Sequence, residues 1–392
     1  MPSVDSLERL TRGDGANALA EAMTWEAPGP AQVARLRRTL DAATASAALE
    51  VARARRSLRG RVAGWERFWC DRESAAQASD DASARWKAER FRGTGPMIDL
   101  CCGTGADLAA IAQATSARGV DLRPERAWMA GRNATVPTSV DDVNTLAFDE
   151  RIAHIDPARR EEGSSRRRHA WESMMPDGGF ILALSRRLDG LMVKLGPGAD
   201  IPPDQVPAGS ELAVLSRDGR LTQAVLSCGS LARNPGRRIA VMLQHGVEMA
   251  GLPTWSSARG DPAWAPCDAW DRFIAEPDAS LERTGLLPMA AHAEGLRERA
   301  AGLGLCTRRE PPCAPSPWFR WFECIETSPA RIDHLARRLT ALNAGEVDVK
   351  VRGAVADADT WSRALRGKGI EPFVVFVHRL GQGAEAVIAR RR

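Results

Sequence analysis

Acidic residues recur in this chain at spacings that suit a bound nucleoside: Asp99, Asp121, the adjacent Asp141 and Asp142, and Asp156. The first lies in MIDLCCGTGAD (97–107), where an apolar run long enough for one buried strand meets a turn built on Gly103 and Gly105. LAAIAQA then opens a helix. Glycines at a strand-to-helix turn let backbone come close to a ligand and leave N–H groups free at the helix start. Asp121 ends a second strand, GVDL, about twenty residues on, where a carboxylate can hold the two hydroxyls of a ribose. SVDDV puts Asp141 and Asp142 at the end of a third strand, and RIAHIDPARR puts Asp156 at the end of a fourth. Strand-end acids alternating with helices predict an α/β, doubly wound parallel sheet that binds a nucleoside at its strand ends.

The loop argues against a dinucleotide. A pyrophosphate on the helix start needs a third glycine, and that position is Leu108. S-adenosylmethionine has no phosphate and needs only the first tight turn. The stretch resembles motif I of class I methyltransferases, written as acid, apolar, Gly, Cys, Gly, Thr, Gly. The chain departs from that pattern once, with Cys101 where the first glycine stands.

Composition narrows the class. At 392 residues the chain exceeds one typical core and predicts two to four domains. A 44% hydrophobic and 27% charged content is that of a globular protein, so a disordered chain is not indicated. MPSVDSLERL lacks a signal-peptide pattern, and no apolar run approaches the roughly 20 residues of a membrane span. The cysteines at 70, 101, 102, 228, 267, 306, 313 and 324 form no CxxC pair with a His partner. No zinc site and no disulfide framework is therefore expected, and the protein is expected to be cytoplasmic and free of membrane and metal. Oligomeric state has no signature in the sequence.

Net charge is only +4, but it is unevenly spread. Residues 331–392 carry 12 Lys and Arg against 7 Asp and Glu. A second cluster, Arg166 to Arg168, follows Arg159 and Arg160 just past the fourth strand. Clustered arginine suits phosphate, which makes a nucleic acid a candidate partner.

Four regions separate along the chain. Residues 1–92 read as a polar, helical N-terminal region, with AQVARLRRTLDAATASAALEVARARRSL apolar at three-to-four spacing and APGP as a break. QASDDASARWKAERF reads as a further amphipathic helix leading into the first strand. Residues 93–250 hold the sheet, closed by a hairpin in which Asp218-Gly219 turns between ELAVLS and LTQAVLSCG. Residues 251–320 are rich in Pro and Trp and give no clear pattern, and residues 321–392 alternate strand and helix up to FVVFVHRLG.

In family order over roughly 60–385, the stretches QASDDASARWKAERF, DLCCGTGAD, HIDPARR, VKLGPGAD, FIAEPDASLERTGL and the final alternating segment resemble a bacterial family. It is that of class I S-adenosylmethionine-dependent methyltransferases with a C-terminal THUMP-like domain. The resemblance implies a helical N-terminal region, a methyltransferase domain, a small ferredoxin-like module over 251–320 and the THUMP-like domain over 321–392. THUMP-type domains are associated with RNA modification, so an RNA base is the implied acceptor. A small-molecule acceptor, or an RNA-binding protein that holds cofactor without turnover, are the alternatives.

The resemblance also implies roles. Asp99, Cys101, Gly103, Thr104 and Gly105 would form the cofactor loop, Asp121 would hold the ribose, Leu122 beside it would also touch the cofactor, and Asp142 with Val143 would border the adenine. Asp156 and Pro157 fill motif IV, beside the transferring methyl, with Arg159, Arg160 and Lys194 facing substrate. Ala158 and Arg159 stand where amino-directed enzymes carry Pro and an aromatic residue, which leaves no ring there to stack a base. The DPAR run is closer to uracil-C5 enzymes, but those need a nucleophilic cysteine, and Cys228 has no evident activating neighbour. His154, within the fourth strand, is expected to pack rather than catalyse.

Overall fold

The computed structural model describes residues 1–159, 174–199, 201–252, 266–312 and 316–392. These cluster into two units, one of residues 1–215 and 222–237, the other of residues 216–221 and 238–392.

The first unit opens with helices α1 (Val4–Arg9), α2 (Gly13–Met23), α3 (Pro30–Leu36), α4 (Ala42–Ser57), α5 (Arg72–Gln77) and α6 (Asp81–Ala88). Short polar side chains start four of them: Ser3, Asp41, Asp71 and Asp80 each accept a backbone N–H of the first turn. Asp41 explains why the long amphipathic stretch is two helices and not one. Its carboxylate caps α4 at Thr44, and that interrupts the chain after Leu36 although the apolar spacing continues. Asp80 likewise confines the expected 77–91 helix to α6. Leu7, Leu10, Leu19, Leu36, Ala48 and Val51 form the helical core, joined by Met129 from the sheet domain.

The sheet follows as β1 (Met97–Leu100), α7 (Ala106–Ile111), β2 (Ala117–Asp121), α8 (Pro124–Ala134), β3 (Thr138–Val140) and β4 (Ile152–Ile155). A short β5 (Ala158–Arg159) pairs antiparallel with β6 (Met174–Met175), and then come α9 (Gly178–Arg187) and β7 (Gly190–Leu195). The apolar FILALS run is α9, capped by Asp177 on the Phe180 N–H. Strands β8 (Glu211–Arg217) and β9 (Arg220–Gly229) form the expected hairpin. The strand order in this unit is β3-β2-β1-β4-β7-β9-β8, parallel from β3 to β7 and antiparallel from β7 to β9. This is the class I methyltransferase sheet. Its order reverses between β1 and β4, so the crevice at their C-terminal ends is where such a sheet binds a ligand.

The second unit holds a hairpin of β10 (Arg238–Met242) and β11 (Val247–Gly251), then β12 (Phe273–Pro277), α10 (Ala279–Thr284), α11 (Leu287–Ala293), β13 (Arg297–Glu298) and β14 (Cys306–Arg308). It ends with β15 (Phe319–Pro329), α12 (Ile332–Ala341), β16 (Ala344–Arg352), α13 (Ala358–Leu365), β17 (Glu371–Leu380) and β18 (Gly383–Arg391). One seven-stranded sheet in the order β13-β14-β12-β15-β18-β17-β16 takes strands from before and after residue 320. FVVFV in β17 is a continuous apolar run because both faces are covered. Phe373, Val375 and Val377 pack with Leu335, Leu339 and Leu365, while Val374 and Phe376 pack with Ile274 and Phe322 on the other side.

No helix among the described residues is long and apolar enough to cross a membrane.

Candidate active site

Three departures from ordinary backbone shape the turn after β1. Cys101 stands at φ +59°, in the left-handed region that side chains avoid, which gives a physical reason for the family's glycine at this position. Gly103 and Gly105 follow at φ +56° and +79°. They are not equivalent. A Cβ on Gly105 would lie 2.9 Å from the Ala130 Cα, so this glycine lets α8 pack behind the turn. A Cβ on Gly103 would meet nothing within 4 Å; its missing side chain leaves space in front of the turn.

That space is a cavity of about 930 Å³ at the C-terminal ends of β1 and β4. Asp99, Cys101, Gly103, Thr104, Asp121, Asp156, Pro157 and Lys194 line it, so most of the residues singled out in the sequence converge there. Gly105 stands behind the turn. Leu122 is 62% exposed, Asp142 accepts two hydrogen bonds from Asn144, Val143 is buried, and none of the three is among the lining residues. Arg159 contributes its backbone to β5, and Arg160 with the Arg166–Arg168 cluster lies outside the described residues.

Asp121 bridges the turn and the helix beyond it. Its carboxylate accepts the Gly103 N–H at 2.9 Å and the Arg123 N–H at 3.0 Å, one on each oxygen. Each oxygen keeps a second lone pair for a ligand hydroxyl. Burial raises its pKa, and the two backbone donors work against that rise.

The parallel register pairs Asp99 with His154, and their side chains meet at 2.6 Å, Oδ1 to Nδ1, both fully buried. His154 thus does more than pack: it is the partner of the motif I acid and lines the cavity. Burial raises the Asp99 pKa, with His154 opposing.

Sequence reasoning missed a neighbouring ionic network. Lys87 of α6 has no exposed side-chain surface and donates to Asp107 Oδ2 at 2.7 Å, to Ser79 Oγ at 3.0 Å and to Gln223 Oε1 at 2.7 Å. Burial pulls the Lys87 pKa down, and Asp107 opposes that. Burial works against the Asp107 charge too, but Lys87 and Lys194 outweigh it and hold the carboxyl well below the usual range. Lys194, at the end of β7, donates to Asp156 Oδ2 at 2.6 Å and to the Gln77 carbonyl at 3.3 Å, with Asp107 at 3.8 Å. Burial would lower the Lys194 pKa, but Asp156 and Asp107 raise it on balance, so it is an ammonium. A signal for Lys87 was available: Ser83, Ala84, Lys87, Ala88 and Phe91 fall on one helical stripe, and all are buried.

The α5–α6 segment closes the cavity wall. Ser74, Gln77, Ala78 and Ser79 line it, so residues before the sheet domain belong to the site. Cys228 is buried, and burial pushes its thiol up to about 12, which leaves no thiolate for nucleophilic attack near neutral pH.

The donor set fits S-adenosylmethionine. A carboxylate with spare lone pairs stands at the ribose position, a glycine leaves open the space a Cβ would fill, and the cavity is large enough for a nucleoside with an amino-acid tail.

Comparison with known proteins agrees. A family model described as THUMP domain-like matches residues 319–391. The chain is 30% identical over 319 residues to a Mycobacterium tuberculosis protein described as an uncharacterised S-adenosylmethionine-dependent methyltransferase, found in strains CDC 1551 and H37Rv. The match covers 80% of this chain and 85% of that protein. In structure the chain is similar to a crystallised Porphyromonas gingivalis W83 protein described as a candidate methyltransferase, at TM-score 0.76 and 17% identity over 96% of this chain and 97% of that one. The turn with its strand-end acids, the strand order and these relatives agree: the chain belongs to the class I S-adenosylmethionine-dependent methyltransferases that carry a THUMP-like domain at the C-terminus.

Proposed function

We propose that the protein transfers a methyl group to a base in RNA, with the THUMP-like domain gripping the RNA. Bound S-adenosylmethionine supplies an electrophilic methyl on a sulfonium, so positioning of donor and acceptor does most of the catalytic work. Asp121 holds the ribose hydroxyls, and the Gly103 turn meets the methionine end together with Asp99, which His154 orients. Asp142 and Val143 border the adenine on the strength of their position after β3, and Leu122, next to Asp121, also meets the cofactor. Asp156 and Pro157 stand beside the methyl, and Asp156 accepts a hydrogen bond or a proton from the acceptor. Arg159, Arg160 and Lys194 meet the acceptor or its phosphates.

The RNA assignment is carried by one observation, the THUMP-like match over 319–391 on the same chain as the cofactor cavity. The excess of basic residues after residue 331 supports it. The test is incubation of the full-length protein with methyl-labelled cofactor and a cell extract, followed by separation of RNA from small molecules. Label in RNA, lost with Asp156→Ala while cofactor affinity stays within a few-fold, is the expected result. Label confined to the small-molecule fraction would overturn the RNA assignment.

A further inference from the structure

We infer that the acceptor is the N–H–C=O edge of a keto base, the N1–O6 edge of guanine or the N3–O4 edge of uracil, with Asp156 taking the N–H proton and Lys194 donating to the carbonyl oxygen. The inference rests on the RNA reading above and deepens it. It starts from the close pair at the cavity wall, Lys194 Nζ to Asp156 Oδ2 at 2.6 Å. Asp156 is the more open of the two, at 37% side-chain exposure against 13% for Lys194. Among the described residues, two of the ammonium's three donors are engaged, on Asp156 and on the Gln77 carbonyl. Asp107 stands at 3.8 Å, beyond hydrogen-bond range. The site thus presents an acceptor and a spare cationic donor side by side.

The pairing selects among bases. Adenine N1 and cytosine N3 attack through a lone pair that needs no base, and an ammonium donating to that lone pair would block the attack. The exocyclic amines need an acceptor but develop no negative charge for a lysine to hold. A keto base has an N–H to lose, and the charge left behind spreads onto the adjacent oxygen, where a positioned cation stabilises it. As the proton passes to Asp156, the nitrogen pair forms the new N–C bond and the bond between the methyl carbon and sulfur breaks, with its electrons staying on sulfur. Asp156 then releases the proton to solvent. Neutralising Asp156 loosens its hold on Lys194 as charge grows on the base oxygen, so one cation serves both ends of the step. Among the described residues, the charged or titratable groups that act on Lys194 include Asp156, Asp107, Asp99 and Lys87, with His154 beside Asp99 and Asp107.

The experiment digests the labelled RNA, or isolates the labelled small molecule, and identifies the methylated atom by mass spectrometry, with Lys194→Met and Lys194→Arg run beside the wild type. Methyl on guanine N1 or uracil N3 is expected. Lys194→Met should lower kcat roughly 100-fold with cofactor affinity within a few-fold, and Lys194→Arg should restore most of it. The loss in Lys194→Met should fall on kcat with the KM for RNA within a few-fold, the split expected of a contact that strengthens only as charge grows on the base oxygen. Methyl on an adenine or cytosine atom would overturn the keto-edge assignment while leaving the RNA reading standing. Label in a small molecule would end the RNA reading; the edge assignment would survive only if the methylated atom is a nitrogen beside a carbonyl, and would fall otherwise.

Discussion

Replacing Lys87 by Met should be among the most destabilising single changes in the first unit, although it alters neither the sheet nor the glycine turn. The ammonium is fully buried against Asp107 at 2.7 Å, and Asp107 is 6% exposed. Breaking a buried pair from one side leaves an uncompensated charge and costs about 3–5 kcal/mol. Asp107 keeps the Ser79 hydroxyl at 2.9 Å and Lys194 at 3.8 Å, which places the expected loss near the lower end, about 3 kcal/mol. At roughly 2–4 °C per kcal/mol for a domain of this size, the melting temperature should fall by about 6–12 °C. The pH dependence has a definite sign. Asp107 is depressed in the folded wild type, so its contribution is present above the ordinary carboxylate value and is lost only as pH falls through the depressed one. In Lys87→Met, burial wins and the Asp107 pKa rises, so protonation relieves the variant as pH falls. The gap in melting temperature should therefore be widest near pH 8 and narrow toward pH 5. Adding Asp107→Asn to Lys87→Met should recover part of the loss, because it removes the orphaned charge. Thermal melts by circular dichroism across that range are the assay. A variant within 1 kcal/mol of wild type, or a gap that does not change with pH, would refute the reasoning.

Other outcomes follow from the turn and from the basic C-terminal segment. Cys101→Gly removes a side chain from φ +59° and should stabilise the protein by about 0.5–1 kcal/mol in urea titrations, after the extra unfolded-state entropy of glycine is counted. Gly105→Ala drives a Cβ to 2.9 Å from Ala130 and should destabilise the fold by more than about 1 kcal/mol. Gly103→Ala puts its Cβ into open space but at φ +56°, so it should cost about 1 kcal/mol of stability without a clash and lower cofactor affinity at least about tenfold; the two glycine variants are compared by melting and by cofactor titration. Reversing the exposed Arg366 and Lys368 to Glu in the full chain should weaken RNA binding and reduce its log–log salt slope by about 0.7 for each phosphate no longer neutralised, read by fluorescence anisotropy. Full-length variants serve better than truncation after residue 327, because β15 runs through that point and shares its sheet with β12.

How far the sequence carries can be traced to particular residues. The β1 turn, the acids at the ends of β2, β3 and β4, and the β8–β9 hairpin were legible because each is a local pattern of period, glycine and turn chemistry. Helix limits were less so: capping by Asp41 and Asp80 depends on backbone geometry that apolar spacing does not encode. β18 went unread because AEAVIARR is short and weakly apolar, and it takes its place only by pairing with β15 and β17. The Asp99–His154 pair follows from a parallel register, and Lys87 meets Gln223 across a large separation in sequence. Such partners exist only once the sheet is assembled, so periodicity along one element cannot name them.

The central claim is that the crevice between Asp121 and the Gly103 turn is where S-adenosylmethionine binds. Calorimetric titration of wild type, Asp121→Asn and Asp121→Ala with S-adenosylmethionine, each checked for an unchanged melting profile, tests it most directly. Saturable binding is expected for the wild type, weaker binding for Asp121→Asn, which keeps an acceptor for the Gly103 N–H, and loss of most of the affinity for Asp121→Ala. Equal affinity in all three folded proteins would contradict it.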